Sequence, residues 1–476
     1  MSLYVPPLFP AEVIDKGGQV FNVKAYGAKG DNSTDDTAAI QAAMDAATSG
    51  GVVYFPRGTY LVSAALTVSY SVTLLGDGVG VSVIFVKASS VTITSTSFVL
   101  ITFDGTDVGI DGLTIDGNST NQTITPSSTT VYYMGAIGSS SANAQSLTVG
   151  KVKFQNFFSS NTDLTGIGLD TYGFGTVIID VLRADATDTG LFITAPTSSS
   201  PFSALIGVVD CHNCNSAGVL IEGISGVQID LAHVYNDANS TSSSIPQDGV
   251  LVSTTNATSN IVIGSIRAKY CGYPFNVGNG QSNLLTDSSF SAVVAEDCIG
   301  SINIGPVDSS VHFGSLIARG CAINGVGITA FGSVEFNGSA STDYIMVDSV
   351  LVVDSKNNGI SINSGNGKAR IASGSISGST DNPVNFSATP VGLALHNIVG
   401  YNPTGPQTAP AIPTSASAYT NPFPFDCAVY VTGGTVTAVA IGGTATGLTS
   451  GQFFVPAGET ITLTYSAAPT WTWFGN

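Results

Sequence analysis

A short pattern recurs through the middle of this chain: a small residue, then apolar–x–apolar. Clear copies are Gly166-Ile167-Gly168-Leu169, Gly190-Leu191-Phe192-Ile193, Gly218-Val219-Leu220-Ile221, Gly249-Val250-Leu251-Val252, Gly325-Val326-Gly327-Ile328 and Gly359-Ile360-Ser361-Ile362. With weaker copies at Pro274-Phe275-Asn276-Val277, Ser301-Ile302-Asn303-Ile304 and Pro383-Val384-Asn385-Phe386, separations run from 24 residues (Gly166 to Gly190) to 34 (Gly325 to Gly359). Each period holds further short strand-like runs, such as Val227-Gln228-Ile229 or Ile261-Val262-Ile263, and no helical pattern. Each unit is too small to bury its own apolar face, so units must stack. Three short strands per turn with alternate residues inward make a parallel β-helix, its rungs roughly 4.8 Å apart. Like residues then pile into files.

One file is readable directly: small-x-x-Cys at Cys211/Cys214, Ala268/Cys271, Ala295/Cys298 and Ala318/Cys321, with Ala232/Tyr235 and Val352/Ser355 expected in the same slots. Cys211-His212-Asn213-Cys214 has the outline of a metal or redox motif, but the interior file explains it without chemistry. Six Cys in 476 residues are no disulfide framework, and reduced buried thiols are expected.

Composition narrows the function. Charged residues are only 10%, and 14 Lys and Arg stand against 32 Asp and Glu, a net charge of −18. A nucleic-acid partner needs basic charge and is excluded. No run of 18 apolar residues occurs, so no membrane insertion is expected. The start, Met1 to Pro10, lacks the basic and apolar regions of a secretory signal. Five regions are expected: an arm at 1–20, a cap helix and first coils at 21–105, the β-helix at 106–400, a Pro-rich linker at 401–424, and a small β-sandwich at 425–476. The helix is expected near Thr34 to Ala47, with Ile40, Ala43, Met44 and Ala47 on one face and Ser33 with Asp36 as a capping box.

The segment Phe21-Asn22-Val23-Lys24-Ala25-Tyr26-Gly27-Ala28-Lys29-Gly30-Asp31, followed by Thr34-Asp35-Asp36-Thr37, resembles the opening of the pectate-lyase superfamily. Gly51-Val52-Val53-Tyr54-Phe55-Pro56-Arg57-Gly58-Thr59-Tyr60 and Leu75-Gly76-Asp77-Gly78 extend the resemblance. It implies an all-β, right-handed parallel β-helix with a short N-terminal capping helix and a small C-terminal β-sandwich. Members include polygalacturonases, lyases, epimerases and phage tailspikes, so the opening does not choose an activity. The end of the chain, Thr470-Trp471-Thr472-Trp473-Phe474, is similar to distal modules of phage tail proteins. The resemblance implies a tailspike-like homotrimer, on a virion tail or extracellular, acting on a bacterial surface polysaccharide without cofactor or metal.

The polygalacturonase set is incomplete. Asp188-Thr189-Gly190 and Gln247-Asp248-Gly249 echo two of its motifs, but no Gly-His-Gly occurs. Few basic residues disfavour a calcium-dependent lyase. Counting from the small residue of each repeat places Asp170, Thr194, Glu222 and Ser253 in one outward file. Asp170 and Glu222 would then lie two rungs apart, roughly 10 Å, with side-chain tilt bringing them near the range for an inverting acid–base pair. Asp188 and Asp248 flank the same coils and complete the catalytic candidates. Tyr172 and Tyr235 are candidate sugar platforms, with Thr194 and Ser253 as further binding residues. The polar stretch Asn236–Gln247 is a candidate groove wall. The plainer reading makes each Asp a corner residue. Three functions stay open: a glycoside hydrolase of tailspike type, a non-catalytic adhesin or fibre, and a secreted cell-wall enzyme.

Overall fold

The computed structural model describes residues 19–475 apart from 49, 94–97, 125–131, 140–144, 158–163, 195–201, 238–247, 279–282, 324–331, 338–344, 363–368, 387–393, 396–397, 400–404 and 424. The arm and most of the expected groove wall therefore lie outside the described residues.

Among the described residues, parallel pairing links each coil to the next from Val20 to Val399. The coils share a long-strand major sheet and a short-strand minor sheet. Five of the six clear apolar–x–apolar triplets lie in the minor sheet; Gly325–Ile328 falls outside the described residues, and the rung between Ile302–Ile304 and Asn358–Ile362 is Gly332–Phe336. The central file of this sheet reads Ile101, Ile137, Leu169, Leu191, Val219, Val250, Phe275, Ile302, Val334, Ile360 and Val384. These residues are buried because they point into the coil.

The major sheet bends. Ile179 pairs with Ile206 and Val181 with Val208, so one position drops out of the ladder. That corner is taken by Asp180, Gly207, Asp230 and Gly264 on successive rungs. At Gly207 and Gly264 a Cβ would meet the preceding carbonyl at 2.7 and 2.6 Å, so only glycine follows aspartate there. A second corner follows each major strand. Asn156, Ala186, Asn213, Tyr270, Asp297, Gly320, Asp354 and Gly378 occupy it, all with positive φ.

The interior file ahead of this corner runs Phe154, Ala184, Cys211, Val234, Ala268, Ala295, Ala318 and Val352. Cys271, Cys298 and Cys321 lie three residues further on in successive coils, buried and free as expected. Two slots differ from the expectation. Ala232 pairs with Val209 and Ile266, and Tyr235 with His212 and Lys269, so neither belongs to the Cys file. Asn236, itself buried, approaches the Cys271 thiol at 3.8 Å and fills that place. Phe154, Phe157 and Phe313 are fully buried, as stacked core.

The helix spans Thr37–Ala46. Ile40, Ala43, Met44 and Ala47 are at most 1% exposed and enter the same core as the first coils. The expected capping box is absent. Asp36 turns its carboxylate away from the helix, accepting from the Lys29 and Gly30 amides at 2.6 and 2.9 Å. It pins the incoming chain, while its carbonyl accepts the first helical bond, from the Ile40 amide.

The C-terminal part packs two four-stranded antiparallel sheets around Val429, Val431, Phe453, Leu463, Trp471 and Trp473. The Pro-rich stretch contributes to it. Gly405–Gln407 pairs with Thr470–Gly475, and Ala418–Thr420 with Thr460–Ala467. Pro410 and Pro413 carbonyls accept from Trp471 and Tyr465 at 2.7 Å each.

Candidate functional site

Leu169 and Ile221 are fully buried, so strand alternation turns Asp170 and Glu222 to the outer face of the minor sheet. Asp170 ends the strand Leu164–Asp170, and its Oδ1 accepts from the Tyr172 amide at 2.9 Å. Burial pushes its carboxyl up to about 6, against the lowering effect of that hydrogen bond. Tyr172, two residues on, is 46% exposed. Between them Thr171 stitches the coil to the next: its hydroxyl donates to the Thr194 carbonyl and accepts from the Thr194 amide, both at 2.9 Å.

The expected four-residue file divides. Asp170 pairs with Phe192, not Thr194, because Leu169 stands opposite Leu191 and Gly168 therefore faces Gly190. Asp170 thus heads the file Phe192, Leu220, Leu251, Asn276, Asn303 and Glu335. Glu222 pairs with Ser253, with Thr194 one rung back. Two rungs and two residues separate Asp170 from Glu222, about 12 Å between α-carbons. Glu222 also accepts from the Asn256 side chain at 3.3 Å, on the far side from Asp170. Ser253 is buried, its hydroxyl 3.0 Å from that of Thr255.

Asp188 and Asp248 occupy structural positions. Asp188 is buried, accepting from the Gly166 amide at 2.6 Å and the Asn215 side chain at 3.2 Å. Asp248 begins a minor-sheet strand beside Ala217 and Tyr273. Burial pushes its carboxyl up to about 7, opposed by the Asn276 amide. Asn276 starts a hydrogen-bonded amide file continuing through Asn303 and Asn337 to Glu335.

Tyr235 lies elsewhere. It projects from the major sheet, stacked on His212 at 4.3 Å and on His233 at 4.9 Å between centroids. Around it His212 contacts Asp185 and Asp237 at 3.3 Å each, and His233 contacts Asp210 at 3.1 Å. This outward charged strip escaped the sequence reading. Its signature is a polar–small–polar triplet in each coil: Arg183-Ala184-Asp185, Asp210-Cys211-His212, His233-Val234-Tyr235, Arg267-Ala268-Lys269. Among the described residues, no group of three His, Cys, Asp or Glu is placed to hold a metal ion.

The family described as rhamnogalacturonase A/epimerase, pectate lyase-like matches residues 20–200, the cap and first coils. The described coils form a parallel β-helix, and its cap and first coils are similar to that family. Among relatives of this β-helix, an alginate lyase from Azotobacter vinelandii is 38% identical over 148 residues, covering 28% of this chain and 17% of that protein. Mannuronan C5-epimerase AlgE4 from the same organism is 33% identical over 181 residues, covering 36% of this chain and 31% of the epimerase. The chain thus spans less than a third of either relative. Tailspike protein 2 of bacteriophage CBA120 has a solved structure 14% identical to it, with a TM-score of 0.44, covering 97% of this chain and 71% of that one. No helix among the described residues is long and apolar enough to cross a membrane.

Proposed function

We propose that this β-helix binds and hydrolyses a polysaccharide on the outer face of its minor sheet, as a tailspike-type homotrimer acting on a bacterial surface glycan. The observation that carries the reading is Asp170: a half-buried carboxyl raised to about 6, next to an exposed tyrosine ring. A carboxyl that holds its proton up to about pH 6 suits a general acid in mildly acidic conditions. Tyr172 offers an aromatic face to the apolar side of a sugar ring.

In this reading Asp170 gives its proton to the glycosidic oxygen as the bond to the anomeric carbon breaks. Water adds to that carbon from the opposite face and passes a proton to Glu222. The backbone separation suits the wider carboxyl spacing of an inverting pair better than the 5–5.5 Å of direct displacement, with Glu222 turning from Asn256 towards Asp170. Asp188 and Asp248 hold the coils in place and take no part.

The test is Asp170→Asn. Incubated with capsular polysaccharide and lipopolysaccharide panels, the wild type releases new reducing ends. The variant loses at least 100-fold in rate and retains its affinity. The wild-type rate falls as pH rises through about 6, because only protonated Asp170 donates. Unchanged turnover in the variant ends the assignment, and absorbance near 235 nm would instead identify an eliminating enzyme.

A further inference from the structure

One sheet of the C-terminal sandwich turns aromatic rings outward. Its strands run in the order Gly405–Gln407, Thr470–Gly475, Cys427–Thr432 and Gly451–Val455. Val429, Val431, Phe453, Val455, Trp471 and Trp473 point inward and form the core. Alternation therefore places Ala428, Tyr430, Gln452, Phe454, Thr472 and Phe474 on the outer face. The register sorts them into rows. Pro406, Phe474, Ala428 and Phe454 stand opposite one another, an apolar row crossing all four strands. Thr472, Tyr430 and Gln452 form the next row.

Ala428 puts only a methyl group between Phe474 and Phe454, so the two rings flank a low floor. Phe454 is 50% and Tyr430 40% exposed, and Phe474 is half-buried. The Tyr430 ring meets Phe474 edge to face at 5.4 Å between centroids, and its hydroxyl donates to Gln452 Oε1 at 3.2 Å. A ligand therefore meets rings that are already ordered, which lowers the entropy cost of binding.

Charge and size narrow the occupant. From 405 to 476 the sequence has no Lys, Arg or His, and its only acids are Asp426 and Glu459. Their carboxylates accept from the Ala457 amide at 2.9 Å and the Thr460 amide at 2.8 Å. An anionic ligand finds no counter-charge on this module. A second copy of the chain needs more surface: three partly exposed rings offer about 300 Å², against roughly 800 Å² per partner in a stable interface. A neutral pyranose meets both limits. Its axial C–H groups make an apolar face that the electron-rich face of an aromatic ring attracts. Its equatorial hydroxyls reach the adjoining row of hydroxyl and amide side chains.

We propose that this face is a non-catalytic binding site for a neutral polysaccharide. The sugar chain lies along the Pro406–Phe454 row, with its hydroxyls against Thr472, Tyr430 and Gln452. The site shares no residue with the Asp170 face and stands whether or not Asp170 is an acid.

The test is native affinity electrophoresis of the full chain carrying Asp170→Asn, so that cleavage does not consume the probe. Gels contain hydroxyethyl cellulose, galactomannan or xyloglucan as neutral probes, and polygalacturonate as the anionic one. Expected is retardation by at least one neutral polymer, unaffected by added salt. Phe454→Ala and Tyr430→Ala each weaken it at least fivefold with an unchanged melting temperature; Gln452→Ala replaces either variant that does not fold. No retardation by any neutral polymer overturns the proposal, as does retardation by polygalacturonate alone. Retardation that survives both substitutions places the binding elsewhere and also overturns it. A lower mass by light scattering in Phe454→Ala would assign the face to a second copy of the chain instead.

Discussion

The corner after each major strand shows how one backbone requirement is met by different side chains. Asn156, Asn213, Asp297 and Asp354 are residue types that tolerate a left-handed conformation, and Gly320 and Gly378 adopt it freely. Ala186, at φ 51°, is neither. An alanine there carries roughly 1 kcal/mol of backbone strain. Ala186→Gly is therefore expected to stabilise the protein by up to about 0.5 kcal/mol after glycine's larger unfolded-state entropy, roughly 0.5–1 kcal/mol, is deducted. Denaturant melts read it as a higher midpoint with an unchanged slope; a lower midpoint would mean that the Ala186 methyl packs better than its dihedral costs.

The minor sheet carries a stability cost that depends on pH. An aspartate in the unfolded chain loses its proton near 4. Asp248 in the folded chain holds its own up to about 7, because burial penalises the charge. Between those values the folded state binds more protons, so stability falls as pH rises and the loss is complete above 7. Asp248→Asn removes the charge and keeps an oxygen for Asn276. The variant should match wild type near pH 4 and exceed it at pH 8, by a few kcal/mol at about 1.4 per pH unit. Thermal melts across pH test this, and parallel curves would show that Asp248 is solvated at neutral pH.

The same sheet shows which parts of the architecture could be read in advance. Alternation and the Gly positions are enough for most coils, for the Cys positions of the Cys file and for the inward residues, since burial enforces a period of two, but the rung expected at Gly325–Ile328 is filled by Gly332–Phe336. The register between coils was not readable to the same precision. Gly166-Ile167-Gly168-Leu169 offers two glycines two residues apart, and a slip of two leaves every side chain on its own face. The hydrophobic pattern is blind to that slip, while the hydrogen-bond ladder settles it, pairing Leu169 with Leu191. Asp170 consequently parted from Glu222. Tyr235 was misplaced because Asn236 does not adopt the left-handed turn of its neighbours, shortening that corner.

Viewed as a whole, the coil leaves an unusual file on its outside. Below Asp170 come Phe192, Leu220 and Leu251, three outward apolar side chains in a row, all half-buried. Outward positions of a single coil normally carry polar residues, so a continuous apolar file marks a contact surface. In the proposed homotrimer this file lies at the seam between subunits. Asp170 then sits at the mouth of the seam, where a neighbouring chain completes the wall facing the glycan. Light scattering should give about three times 48.3 kDa for the wild type. Leu220→Glu places like charges against one another at the seam and should reduce the mass to that of one chain. Cleavage should fall with it although no proposed catalytic group has changed. A trimer that survives Leu220→Glu would move the contact elsewhere. A monomeric wild type that still cleaves would confine the site to one coil and leave the apolar file to the sugar itself.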